Sequence, residues 1–408
     1  MIPTEYATAG FVVAGEVVAD PSTAPAQEIL ARAHRDRVRP LCLCQPGGVA
    51  MYTARAGAAG VVVKRMPETG WMHAPSCSSY APPPHLSGLG QVWGQAIRTD
   101  VDTDLTMLRL GFALTQTDRV VQDSTGAGDG DSVEADPARL SLRGLLHCLW
   151  EDAGLASWSP RMAGKRNWRV VGYHVRKAAG GKIARGKPLA DRLWVPEPFS
   201  AERKAEMSAA RMAAWAPLRA QSSRSTPLLV LVGEFKAFEP GRFGPRLFLK
   251  HMPDAGLNVE EATQRRFERR FAAELEMLEA DDGSHLMVIA TASIGRTGTP
   301  TLVEASAMLV DEHWLPYESA EGKLLLEAAS GRRFTVPLRY NLARDALLPT
   351  LILTDTTPPT ACYALGPEEH LDEADDTPAA AATSTWSWQV TEPLPALPDA
   401  ATWSPSPR

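Results

Sequence analysis

R-P-L-C-L-C at positions 39–44 and W-M-H-A-P-S-C at 71–77 decide how this chain is read. Together they hold three of its five cysteines, Cys42, Cys44 and Cys77, with His73 four residues before the last. Three thiolates and one imidazole form the donor set of a closed, tetrahedral structural zinc site. Alternate residues of a strand face one way, so Cys42 and Cys44 can present both sulfurs to one side. Pro75 dictates a tight loop or a first helical turn between His73 and Cys77. The pattern predicts a zinc staple bound by Cys42, Cys44, His73 and Cys77. The alternative is three reduced, buried cysteines beside a loop histidine, because these spacings depart from the common C-x2-C pairs. Cys148 and Cys362 lie in a helical and a strand pattern and read as core residues.

No apolar run is long enough to span a bilayer. The first ten residues lack a basic region and carry Glu5, against a signal peptide. The expected compartment is the reducing cytoplasm, where disulfides are rare and a metal is the better use of clustered thiols.

A chain of 408 residues is long for one core. Residues 1–121 read as a strand-rich, zinc-binding module. Its strand patterns fall at 11–18, 41–44, 51–55, 61–65, 92–98 and 106–115, with a helix at 24–37. Residues 122–137 form an acidic, Gly-rich linker with five acids and no base. Residues 138–200 form a basic helical module. Residues 226–366 alternate strands and helices, with one helix expected over 258–280, a hairpin around 295–298 and a further helix over 319–329. The acidic, Pro-rich tail 367–408 reads as disordered.

The net charge of −6 conceals a segregation. Residues 161–192 hold ten Lys or Arg against one acid, Asp191, so this segment carries +9 and the rest of the chain −15. Read as a helix, 165–179 places Trp168, Val171, Val175 and Ala178 on one face. Arg166, Arg169, Tyr173, Arg176 and Lys177 fall on the other. With a Leu-rich helix before it and Lys182 and Arg185 in the loop beyond, the segment resembles a helix-turn-helix with a wing. DNA is the expected partner. The alternative is a solvated cationic helix, or one paired with acids of the same chain.

Enzyme signals are sparse, and the chain is read as leaning away from catalysis. Glu234-Phe235-Lys236 resembles the E-x-K of metal-dependent nucleases, but no upstream Pro-Asp accompanies it, and a metal site needs that further carboxylate. Asp355 follows an apolar strand, where either catalytic or turn acids sit. There is no G-x4-G-K-[ST], H-E-x-x-H or G-x-S-x-G.

Beyond these readings, Arg39-Pro40-Leu41-Cys42-Leu43-Cys44, Val63-Lys64-Arg65-Met66-Pro67, Gly70 and His73-Ala74-Pro75-Ser76-Cys77 carry a family likeness. So do Ala163-Gly164-Lys165-Arg166, Arg339-Tyr340-Asn341 and Leu353-Thr354-Asp355-Thr356. On these the chain resembles the uncharacterised bacterial domain of unknown function 1173 family. The resemblance implies three N-terminal cysteines, here Cys42, Cys44 and Cys77, and a mobile-element context. It implies no known activity.

The expectation is a multidomain α+β protein with structural zinc that contacts nucleic acid without catalysing a reaction. A scaffold component and a nuclease-like enzyme on the C-terminal domain are the alternatives.

Overall fold

The computed structural model describes residues 10–56, 60–117, 136–220, 225–371 and 382–401. The expected linker lies outside the described residues except for Asp136 and Pro137. Among the described residues the chain is α+β, with helices packed on four sheets.

The first sheet is antiparallel, in the order Glu16–Val18, Phe11–Val13, Leu41–Cys42, Val49–Arg55, Val61–Arg65. The single strand expected at 11–18 is a hairpin. Ala14 and Gly15 both take positive φ, at 53° and 88°, the geometry of a two-residue turn whose twist matches its strands. The helix Ala24–Arg35 lays Ala26, Leu30 and Ala33 on this sheet. Their small core contains Phe11, Val13, Met51 and the two cysteines Cys42 and Cys77.

The helix Leu142–Asp152 is the centre of a second, larger core. Ser141 caps it by accepting from the Gly144 amide. Leu142, Gly144 through Trp150 and their neighbours are buried, so this is an interior helix enclosed on nearly every face. Trp168–Ala178 packs on it through Trp168, Val171 and Val175, as the periodicity predicts. Beside them Lys182–Ala184 runs parallel to Leu105–Leu108, joining segments from either side of the expected linker in one sheet.

The third sheet closes on itself. The long strand Ser225–Gly241 pairs through 228–234 with His285–Ile294 and through 235–241 with Gly244–Leu249. Leu257–Asn258 and Pro300–Val310 complete the ring. The hairpin across Ile294 and Pro300 forms as expected. The expected helix 258–280 does not: it is two helices, Glu261–Arg270 and Ala272–Ala280. Phe271 between them leaves helical geometry, at φ −113° and ψ 28°, and is buried beside Phe267 with ring centroids 4.8 Å apart. Asn258, the expected first residue of that helix, lies in a strand.

The fourth sheet runs Ser384–Gln389, Thr360–Leu365, Leu351–Leu353, Phe334–Thr335, Ser157–Trp158. Two expectations are corrected here. Residues 384–389, read as part of a disordered tail, form a strand parallel to Thr360–Leu365. Trp388 is buried and donates its indole N–H to the Glu392 carbonyl at 2.8 Å; Trp386, Leu394 and Leu397 pack against the hydrophobic core and supply apolar surface beside it. The helix-turn-helix reading also fails. Residues 153–167 separate the two helices and contain Ser157–Trp158, a strand of the C-terminal sheet. The first helix is interior, whereas in a helix-turn-helix it crosses the nucleic-acid backbone.

The expected boundaries at 121 and 200 are crossed in the same way. Thr115–Thr117 and Leu193–Trp194 both pair with Ser225–Gly241. One core runs from Val92 to Tyr340, while the residues packed around the cysteines stop at Cys77. The expected strand 92–98 begins instead as the last turn of the short helix Leu89–Val92, and a strand starts only at Ile97.

Candidate metal centre

Cys42 sits in mid-sheet, opposite Phe11 on one side and Val49 on the other. The strand proper ends there, yet the two-residue alternation continues. Leu41 and Leu43 are exposed, Cys42 is buried and Cys44 is half-buried. His73 follows the 3-10 turn Gly70–Met72, its amide donating to the Gly70 carbonyl at 3.2 Å. A second turn through Pro75 then returns the chain, with the Cys77 amide donating to the Ala74 carbonyl at 2.8 Å.

These elements bring all four side chains together. One ligand atom from each of Cys42, Cys44, His73 and Cys77 lies within 4.8 Å of every other. The Cys42 and Cys77 sulfurs are 3.7 Å apart, and Nδ1 of His73 is 3.3 Å from the Cys44 sulfur and 3.8 Å from that of Cys77. A tetrahedron with metal–sulfur arms of ~2.3 Å has edges of roughly 3.8 Å, so these spacings fit a bound ion. They are far too long for a disulfide at ~2.05 Å. Among the described residues this is the one group of His, Cys, Asp or Glu with such geometry.

Burial pushes the Cys42 thiol up to about 12 and raises that of Cys77. Burial, with the Arg65 cation, lowers His73 to about 4. The imidazole is thus neutral and ready to ligate, while the thiols need a metal's charge to release their protons. Backbone N–H groups favour the thiolates: the Ala74 amide points at the Cys44 sulfur and the Ser79 amide at that of Cys77, each at 3.4 Å. The donor set suits zinc, with all four positions filled by protein. Cys148 and Cys362 are buried apart from it, in a helix and a strand as read from the sequence.

The predicted nucleic-acid residues divide. Arg166 turns inward, donating to the carbonyls of Leu155, Gly154, Ser157 and His313 and lying 5.7 Å from the centre of the Trp158 ring. Burial lowers it to about 10. Lys182 is buried and ion-paired to Asp152. Burial would lower its ammonium, but the Asp152 carboxylate outweighs this and holds it above the ordinary lysine range. Both serve the core, a use that a helical-wheel reading cannot see. Arg169, Tyr173, Arg176 and Lys177 are exposed together, as is Arg185. Arg176 also donates to the Val195 carbonyl at 2.9 Å and Arg185 to that of Phe112 at 3.2 Å.

Glu234 and Lys236 part company at a bulge between Phe235 and Ala237. The irregularity undoes the common face that i and i+2 would share. Lys236 is exposed, 3.7 Å from Glu239. Glu234 is buried and met by basic groups: Lys250 and His285 at 2.6 Å and His251 at 3.5 Å. Burial would raise its carboxyl, but these contacts outweigh burial and hold it below the ordinary range. Stacked indoles fix both imidazoles, Trp168 on His251 and Trp314 on His285. Asp355 is likewise structural, gripping Arg332 at 2.8 and 3.0 Å.

Sequence reasoning missed Glu151, which faces a cavity and accepts from the Tyr340 hydroxyl at 2.5 Å. A signal was available. Glu151 and Asp152 end a Leu-rich helix, where the macrodipole disfavours acids.

The family model described as protein of unknown function, DUF1173, matches residues 11–391. Neither the comparison with curated proteins nor that with solved structures found a match. Since the family match covers nearly the whole chain, this protein belongs to the DUF1173 family.

Proposed function

We propose that this is a zinc-stabilised accessory protein that contacts nucleic acid, its metal structural, in the mobile-element setting that the resemblance implies. The observation that carries the structural-metal reading is the Cys42–Cys44–His73–Cys77 cluster, whose four ligand atoms lie within 4.8 Å of one another and would fill a tetrahedral ion's coordination. When bound, the zinc supplies cross-linking: it ties a strand to a loop otherwise held mainly by turns. The nucleic-acid part rests on the exposed face of Arg169, Tyr173, Arg176 and Lys177. Cations there would meet phosphates, and the Tyr173 ring would stack or contact sugar.

A scaffold role with the same structural zinc is the second reading. It is favoured by the loss of Arg166 and Lys182 to internal contacts.

The test is metal analysis of the purified protein beside a salt-titrated binding assay with duplex and single-stranded DNA. Three phosphate contacts give a slope of log affinity on log salt near about −2.7 for duplex DNA. Arg169→Glu should abolish binding at moderate salt. If neither form of DNA binds at low salt, the scaffold reading replaces the nucleic-acid one.

A further inference from the structure

A cavity of about 1010 Å³ lies between the N-terminal sheet and the central core. Tyr52, Arg55 and Arg65 line one side, and Glu151, Lys177 and Tyr340 the other. Its volume is at the upper end of small-molecule sites.

The charges inside are mostly matched, and the remainder is cationic. Asp104 takes Lys64 at 2.5 Å and the Tyr52 hydroxyl at 2.9 Å. Asp152 pairs with Lys182, and Asp102 with Arg39 at 3.5 Å. Arg55, Arg65 and Lys177 have no carboxylate within ion-pair distance among the described residues, and Glu68 at the rim is the exposed acid left over. Solvent reaches Arg65, yet protein surrounds it on most sides and lowers its guanidinium, with Glu151 and Asp152 opposing. A cation in such a setting interacts more strongly with an anion than one in open water does.

Tyr340 is the second observation. Its φ of 47° is strained for a residue with a side chain. The strain is held on all sides. Its amide donates to His147 Nδ1 at 2.9 Å, its carbonyl accepts from Arg143 at 2.9 Å, and Asn341 is fastened to the Ser141 amide and the Arg139 carbonyl. The result aims the hydroxyl at Glu151 on the cavity wall, whose carboxyl burial raises.

We propose that this cavity binds a phosphorylated small molecule, with its phosphates on Arg55, Arg65 and Lys177 and its polar remainder hydrogen-bonded at Glu151 and Tyr340. The site overlaps the face of the nucleic-acid reading at one residue. Lys177 is common to both, so the test relies on Arg55 and Arg169 instead.

The experiment is calorimetric titration of the full-length, zinc-loaded protein with pyrophosphate and with ATP. Both probes carry the phosphate chemistry, and only ATP offers a polar remainder. Arg55→Ala should weaken binding at least tenfold with an unchanged melting temperature, while Arg169→Ala leaves it unaltered. Glu151→Gln should weaken ATP several-fold and spare pyrophosphate. Failure of both probes to bind at millimolar concentration overturns the proposal, as does binding indifferent to Arg55→Ala. Binding of oligonucleotides alone, lost in Arg55→Ala, overturns it too and makes the cavity part of a nucleic-acid path. Loss of DNA binding in Arg169→Glu with ATP binding intact leaves the two sites distinct.

Discussion

The guanidinium of Arg65 donates from Nη1 to the carbonyl oxygen of Ser79 at 3.1 Å. Arg65 stands on the cavity wall, and Ser79 lies two residues beyond Cys77, whose sulfur accepts from the Ser79 amide. One residue therefore joins the metal loop to the cavity, and the metal's removal should be felt at both.

Purified protein should contain one zinc per chain. Cys44→Ala should lose it, as should prolonged chelation. Hydrogen exchange should then rise across 61–86, while His285–Ile294 and Pro300–Val310 keep their protection, because the cores they face do not include Cys42, Cys44 or Cys77. A metal content near zero after zinc-replete expression would contradict the assignment.

Arg166 and Arg169 are three residues apart and should behave oppositely. Arg166→Ala strands several carbonyls, at a cost of about 1–3 kcal/mol for each one left unsatisfied. Arg169→Ala, on the exposed side, should stay within about 0.5 kcal/mol. Urea denaturation of the two variants compares them directly, and equal midpoints would remove the distinction.

Glu234→Gln should destabilise the protein by about 2 kcal/mol near pH 7, a buried ion-pair loss discounted for the exposure of Lys250. The carboxyl is depressed in the fold, so its contribution is complete above the ordinary value of 4.5 and is lost as the pH falls below that. The gap between wild type and variant should therefore close on acidification. Plasmid cleavage with Mg²⁺ or Mn²⁺ that disappears in Glu234→Gln would instead make this residue catalytic.

Trp388→Ala should cost about 3 kcal/mol, in the range for a buried Trp. Truncation before Ser384 should lower the melting temperature further by exposing the edge of Thr360–Leu365. An unaltered melt would return this segment to the tail read from the sequence.

Legibility followed the range of the forces involved. The apolar face of Trp168–Ala178 and the hairpin across Ile294 and Pro300 were readable because their signals repeat within a few residues. The four cluster residues were readable because thiolates and imidazole have few other uses at that density. Arg166 and Lys182 misled because a helical wheel shows direction but not what stands opposite. The strand at 384–389 was hidden by acidic and Pro-rich neighbours, although Trp386 and Trp388 alternate within it.

By itself the sequence determined the α+β character, the family and the identity of the four clustered side chains. These depend on residue type and local spacing, which a linear text preserves. Only the tertiary structure decided that Ser157–Trp158 joins the C-terminal sheet, that the expected modules interleave, and that Tyr340 reaches across 189 positions to Glu151. Such contacts arise when distant segments bury apolar surface against one another, and the partner each segment finds is set by the whole core rather than by its neighbours along the chain.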